Sequence, residues 1–108
     1  MKLVVVSGGF DPVHSGHIDY FKSAKSHGDK LIVALNSDTW LERKKGKFFM
    51  PFDERRAILS SIKYVDRVIG FEDDRKGSCI NALEEIKLSN PNDEIFFANG
   101  EDYIESDI

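Results

Sequence analysis

His14 and His17 stand three residues apart around Gly16, at the end of the run Ser7-Gly8-Gly9-Phe10-Asp11-Pro12-Val13-His14-Ser15-Gly16-His17. On a helix that spacing puts both imidazoles on one face, where they can project towards a single anion. The Gly8-Gly9 turn lets backbone approach phosphates closely, and a helix N-terminus adds unsatisfied N–H groups with partial positive charge. Two other chemistries stay open for the pair. They could hold zinc, although the chain has no obvious further ligand set and no H-E-x-x-H pattern, or both could simply pack. His27, near the end of the same segment, reads as a surface or helix-terminal residue. Gly8 and Gly9 could merely turn the chain, Phe10 could pack beneath the turn, and Asp11 could either cap local backbone or organise a site.

Arg43, Lys44, Lys45 and Lys47 concentrate positive charge in a chain whose formal net charge is -4. By composition such a run is a solvated segment; by position it follows an apolar strand and so falls on the ligand side of an open sheet. Asp53-Glu54-Arg55-Arg56 opens another helical stretch, with Asp53 suited to cap it and Arg55 readable as an ordinary exposed charge.

The elements that must position these groups follow from the apolar pattern. Leu3-Val4-Val5-Val6, within Lys2 to Ser7, reads as a buried strand; Ile18, Phe21 and Ala24 recur at helical spacing before Gly28; and Leu31 to Leu35 reads as a second strand, within Lys30 to Asn36. A short helix is expected around Ser37 to Glu42, then a mobile basic loop reaching Phe52. A helix runs from Asp53 to about Lys63 with Ile58, Leu59 and Ile62 as its stripe, and Val65 to Phe71 is a short strand. Ile80, Leu83 and Ile86 mark a helix ending before Asn90-Pro91, and Glu94 to Ala98 is the fourth strand. This alternation predicts parallel βαβ units in one α/β sheet, with ligand contacts beyond the carboxyl ends of the strands.

At 108 residues the chain has room for one domain, 1–108, and 41% apolar with 31% charged residues is ordinary for a soluble folded protein. The longest apolar run is far shorter than a bilayer span and no signal segment follows Met1, so the expectation is a cytoplasmic protein with no membrane contact. The acidic net charge argues against nucleic acid as a partner. Cys79, the lone cysteine, reads as a small packing residue.

The Gly-Gly-Phe-Asp turn followed by His14-Ser15-Gly16-His17 resembles the HxGH signature of the nucleotidyltransferase superfamily, within it the cytidylyltransferase-like group, over Lys2 to about Tyr103. The resemblance implies a Rossmann-like three-layer α/β/α fold and transfer of a nucleoside monophosphate from ATP or CTP to a phosphorylated small molecule, with Mg²⁺ carried by the triphosphate. It assigns His14 and His17 as phosphate ligands, matches Lys44 first and Lys47 second to the family's loop lysines, and puts Gly8, Gly9, Phe10, Asp11 and Asp102 at the nucleotide and Arg55 at the acceptor phosphate. Asp66, in Tyr64-Val65-Asp66, reads as structural. Asn36-Ser37-Asp38 and Gly100-Glu101-Asp102-Tyr103 are similar to heptose-phosphate adenylyltransferases, Tyr64-Val65-Asp66 equally to glycerol-3-phosphate cytidylyltransferases, and Gly9 to His14 also to nicotinate-mononucleotide adenylyltransferases. A sugar or polyol phosphate is the expected acceptor, with a nicotinate-mononucleotide-type adenylyltransferase or a catalytically weak nucleotide-binding or assembly module as the alternatives. The family pattern continues through a further strand and a Ser-Thr-rich motif not found between Tyr103 and Ile108. Four strands, a C-terminally incomplete core with an open sheet edge, and a homodimer are therefore expected.

Overall fold

The computed structural model describes residues 1–70, 80–99 and 102–105. In chain order the elements are β1 (Lys2–Gly8), α1 (Ser15–Lys25), β2 (Lys30–Leu35), α2 (Asp38–Lys45), α3 (Phe52–Ser60), β3 (Arg67–Gly70), α4 (Ile80–Ser89), β4 (Glu94–Asn99) and β5 (Asp102–Glu105). They form one sheet in the order β3-β2-β1-β4-β5. The first four strands are mutually parallel, as expected for a Rossmann-like α/β sheet. β5 is a correction to the four-strand expectation: it pairs antiparallel with β4, Asn99 opposite Asp102 and Ala98 opposite Tyr103. The segment after β4 thus contributes a short strand, because an antiparallel neighbour needs no crossover helix.

The strand pleat divides the core between the two faces. Val4, Val6, Leu31, Val33 and Leu35 pack with Phe21, Ala24 and Leu59, and so with α1 and α3. Leu3, Val5, Ile32, Ala34, Ile69 and Ile95 pack with Ile86 of α4. Helices therefore cover both faces, which is why β1 and β2 are apolar without alternation.

Several boundaries move. The basic segment is not a loop from its start: α2 continues through Arg43, Lys44 and Lys45 and ends on Gly46, whose φ of 83° closes the helix in the left-handed region. Pro51, in extended backbone and without a side-chain cap, precedes α3, while Asp53 and Glu54 lie in its first turn, where carboxylates complement the helix dipole. α3 stops at Ser60, and the third strand is only Arg67–Gly70. Ile18 and Ile58 are exposed; Phe21, Ala24, Arg55 and Leu59 are the buried positions of their helices. Asp66 is structural as expected, accepting from the Leu31 N–H at 2.8 Å and pairing with Lys25. Phe71, Cys79, Gly100 and Glu101 lie outside the described residues.

β1 leads by way of α1 to β2 on one side, while β4 lies on its other side. The sheet order reverses there, so the carboxyl ends of β1 and β4 bound a crevice that begins at the β1–α1 turn. Tyr20 of α1 closes its base, its hydroxyl donating to the Ala98 carbonyl at 3.1 Å.

Candidate active site

His14 is the N-cap of α1, in extended backbone with φ -140° and ψ 176°. The Gly16 N–H donates to His14 Nδ1 at 3.1 Å, and the His14 N–H donates to His17 Nδ1 at 3.1 Å. The two imidazoles thus form the reciprocal capping box usually made by a hydroxyl and a Glu or Gln. An accepting Nδ1 carries no proton, so each neutral ring holds its N–H on Nε2, across the ring from the cap. The rings stack, with centroids 3.9 Å apart and planes inclined by 24°. One stack at a helix N-terminus therefore presents two N–H donors, the disposition suited to phosphate oxygens.

His17 is half-buried, with its ring edge-on to Phe10 at 5.0 Å. Burial holds its pKa below the ordinary imidazole value, and the neighbouring His14 pushes in the same direction. Gly16 is required by the stack: a Cβ there would stand 2.9 Å from His14 Cε1 and 3.1 Å from its Nδ1.

The preceding glycines make room for packing. Phe10 takes a left-handed φ of 49° and buries its ring against Phe21; a Cβ on Gly8 would lie 3.0 Å from that ring. A Cβ on Gly9 would come within 2.6 Å of Leu41 Cδ2, so α2 sits directly on the turn. Gly8, Gly9 and Phe10 are thus placed under the histidine stack, as packing elements of its support.

Asp11 faces inwards, its side chain fully covered. Oδ1 accepts from the Met50 N–H at 2.6 Å, while Oδ2 accepts from the Phe49 N–H and, at 3.3 Å, from Lys45 Nζ. Burial alone would raise its pKa; the Phe49 and Met50 N–H groups and the Lys45 ammonium outweigh it, and the net shift is downward. Both oxygens being occupied, Asp11 fastens the 46–50 segment to the β1–α1 turn.

Arg55, which the resemblance puts at the acceptor phosphate, has its guanidinium turned into the protein. It is 0% exposed. Nε donates to the Met50 carbonyl at 2.9 Å, Nη1 to the carbonyls of Gly9 and Asn36 at 2.8 Å each, and Nη2 to Asp38 Oδ1 at 2.6 Å. A buried guanidinium must be paired in this way, and the pairing joins the β1–α1 turn, the end of β2, α2 and the loop before α3. Arg55 is a positioning residue for the turn.

Of the basic cluster, Lys45 reaches the motif, donating to the Asp11 carbonyl at 2.9 Å. Lys44 is exposed and lies over the Trp40 ring at 5.8 Å. Lys47 is exposed at the wall of a cavity beside Lys45. Asp102 is brought to the ligand side of the sheet by its pairing with Asn99; its side chain is outside the described residues. The sequence shows Lys45 only as part of the basic run, and Asn36 and Asp38 only as part of a heptose-phosphate adenylyltransferase-like segment, without the contacts that bring the three to the site. The register of α2 separates Lys45 from Lys44, and a run of adjacent lysines carries no signal of it.

A profile of the cytidylyltransferase-like family matches residues 5–107. The chain belongs to this family. Cytidylyltransferase-like proteins are nucleotidyltransferases, and the resemblance carried by the HxGH run holds over nearly the whole chain. Among similar proteins, the bifunctional protein HldE of Shigella sonnei (strain Ss046) is 41% identical over 75 residues, covering 68% of this chain and 16% of the relative. HldE of Yersinia enterocolitica serotype O:8 is 43% identical over 75 residues with the same coverages, 68% and 16%. The matched part is thus about one sixth of the length of these curated relatives, 16%. A lipopolysaccharide core biosynthesis protein from Thermoplasma volcanium GSS1 superposes with a TM-score of 0.69 at 35% identity, over 81% of this chain and 69% of that one. Among the described residues no helix is long and apolar enough to cross a membrane.

Proposed function

We propose that this cytidylyltransferase-like chain transfers a nucleoside monophosphate from ATP or CTP to a sugar or polyol phosphate. The observation that carries the reading is the His14–His17 capping box, which commits both Nδ1 atoms to backbone and leaves both Nε2–H donors for an anion. A phosphate oxygen of the acceptor attacks the α-phosphorus in line. A new P–O bond forms, the bond from the α-phosphorus to its bridging oxygen breaks, and the electron pair leaves with pyrophosphate. The attacking oxygen is already anionic, so no general base is required. Catalysis then rests on orientation and on donors that stabilise charge on the α-phosphate and the leaving pyrophosphate. The Mg²⁺ enters as part of the nucleotide substrate.

A saccharide acceptor is supported by the lipopolysaccharide core biosynthesis protein among the structural relatives. Pyrophosphate release from ATP and from CTP, measured against pyranose phosphates, glycerol 3-phosphate and nicotinate mononucleotide, tests the reading. One pyrophosphate per product identifies base and acceptor; nucleotide binding without release would instead make the chain a binding module.

A further inference from the structure

The α2–α3 connection carries a feature that phosphate chemistry alone does not use. Phe49 is 75% exposed, yet its backbone N–H is fixed by the covered carboxylate of Asp11, and the next N–H, of Met50, is held by the other oxygen at 2.6 Å. Single exposed apolar residues are ordinary on surfaces. This one is held at its main chain and, with Phe48, Lys45 and Lys47, lines a cavity of about 340 Å³. That volume is at the lower end of small-molecule sites. Two phenyl rings offer flat apolar faces, and Lys47 adds positive charge to the same wall, the Lys45 ammonium being paired with Asp11.

We infer that Phe49, with Phe48, forms a platform for the ring of a cyclic sugar phosphate acceptor, and that this wall selects pyranose phosphates over linear polyol phosphates. The inference rests on the nucleotidyltransferase reading and specifies its acceptor. A phenyl face packs flat against the C–H edges of a saturated ring, while Lys47 complements the phosphate that the ring bears. A linear polyol presents no such face. The nucleobase is the competing occupant of an aromatic platform, and topology argues against it. The crevice where strand order reverses lies between β1 and β4, whereas the Phe49 segment follows β2, on the other side of β1.

The test uses the full chain with Phe49→Ala, Phe49→Tyr and, as a remote exposed control, Leu88→Ala, which is 82% exposed in the wild type. Calorimetric titration with hexose and heptose 1-phosphates should show binding weakened about 3- to 10-fold in Phe49→Ala, the range expected for loss of one ring contact. Phe49→Tyr and Leu88→Ala should bind like wild type, and glycerol 3-phosphate should not distinguish any of the four proteins. The pyrophosphate-release assay should show the same rise in KM for the pyranose phosphate, with KM for nucleotide unchanged. Equal losses for cyclic and linear phosphates, a loss confined to nucleotide, a change only in sedimentation, or no wild-type binding of any pyranose phosphate would overturn the inference. Pyranose phosphate binding that depends on Phe49, without pyrophosphate release from any substrate pair, would uphold the platform while refuting the transferase reading.

Discussion

His14 and His17 satisfy each other's helix terminus: the His14 N–H donates to His17 Nδ1, while His14 Nδ1 accepts from Gly16. A change at His14 therefore removes a cap and a donor together, and two substitutions separate them. His14→Ala should lose about 1 kcal/mol of stability, the usual value of an N-cap, whereas His14→Asn retains a side-chain acceptor and should stay near wild type. Both should lose turnover by roughly 10²- to 10³-fold, as for removal of one transition-state donor. Thermal unfolding and pyrophosphate release distinguish the two effects. An Asn variant that turns over normally would make the imidazole only a cap.

Gly16→Ala tests the stack from its other side. In a helix interior this substitution ordinarily stabilises by about 0.5–1 kcal/mol, an upper bound for the first turn. Here the added Cβ would stand 2.9 Å from His14 Cε1, and the ring must move. Displacement of a catalytic group by around 1 Å can cost about 100-fold. The expected result is a melting temperature near that of the wild type, the propensity gain being offset by the weakened His14 cap, with turnover down at least tenfold. Loss of folding together with activity would show that the glycine serves the backbone instead.

How much of this could be read in the sequence depends on the range of the forces involved. β1, β2 and α1 are legible because continuous apolar runs and a period near 3.6 are local consequences of burial on two faces or one. The histidine pair is legible for the same reason, since its spacing and its glycine lie within one helical turn. Arg55 was not legible: an Asp-Glu-Arg-Arg string gives no sign that its third residue is covered, because its partners Gly9, Asn36 and Asp38 come from other elements. The same holds for Asp11, whose partners Phe49 and Met50 lie 38 and 39 positions away. β5 escaped notice because four residues at a sheet edge have too short a pattern to set them apart from a turn.

Arg55→Ala should behave as a core defect. It strips hydrogen bonds from Met50, Gly9 and Asn36 and leaves Asp38 without its ion pair. Asp38 is partly exposed, so the cost comes mainly from the buried carbonyls left without donors, about 1–3 kcal/mol for each group left unsatisfied, against the roughly 5–15 kcal/mol that stabilises a domain. Arg55→Lys keeps the charge but cannot serve four acceptors in four segments with the three donors of one ammonium, so it should also be destabilised, by less. Urea midpoints rank the three proteins. A stable Arg55→Ala with only a raised KM for acceptor would restore the direct phosphate contact.

Lys44 and Lys45 are adjacent, equally charged and both exposed, so they form a matched pair. Only Lys45 Nζ touches the motif, at the carbonyl and carboxylate of Asp11. Lys45→Ala should raise KM more than Lys44→Ala does, and the difference should persist at high salt, where general attraction is screened. Equal, salt-sensitive losses would reduce both to background field.

The pH dependence follows from two groups whose pKa values are both lowered. For His17, burial comes first and the proximity of His14 second; a proton arriving at Nδ1 would also face the His14 N–H that it now accepts. The folded chain therefore takes up that proton less readily than the unfolded chain. As pH falls through about 6.5, the ordinary imidazole value, the unfolded state binds more protons and stability declines; above it this contribution is constant. For Asp11, burial raises the pKa, but the hydrogen bonds from Phe49, Met50 and Lys45 outweigh it, so its contribution is present above about 3.9 and is lost as pH falls through the lower folded value. The histidine effect thus comes first on acidification. His17→Gln keeps a side-chain acceptor at the capping-box position but cannot titrate. Relative to wild type, it should flatten the fall of melting temperature just below pH 6.5, and the acid limb of wild-type turnover should lie below that value. An unchanged slope in the Gln variant, or an acid limb centred above about 6.5, would show that His17 is not the group held neutral at the helix start.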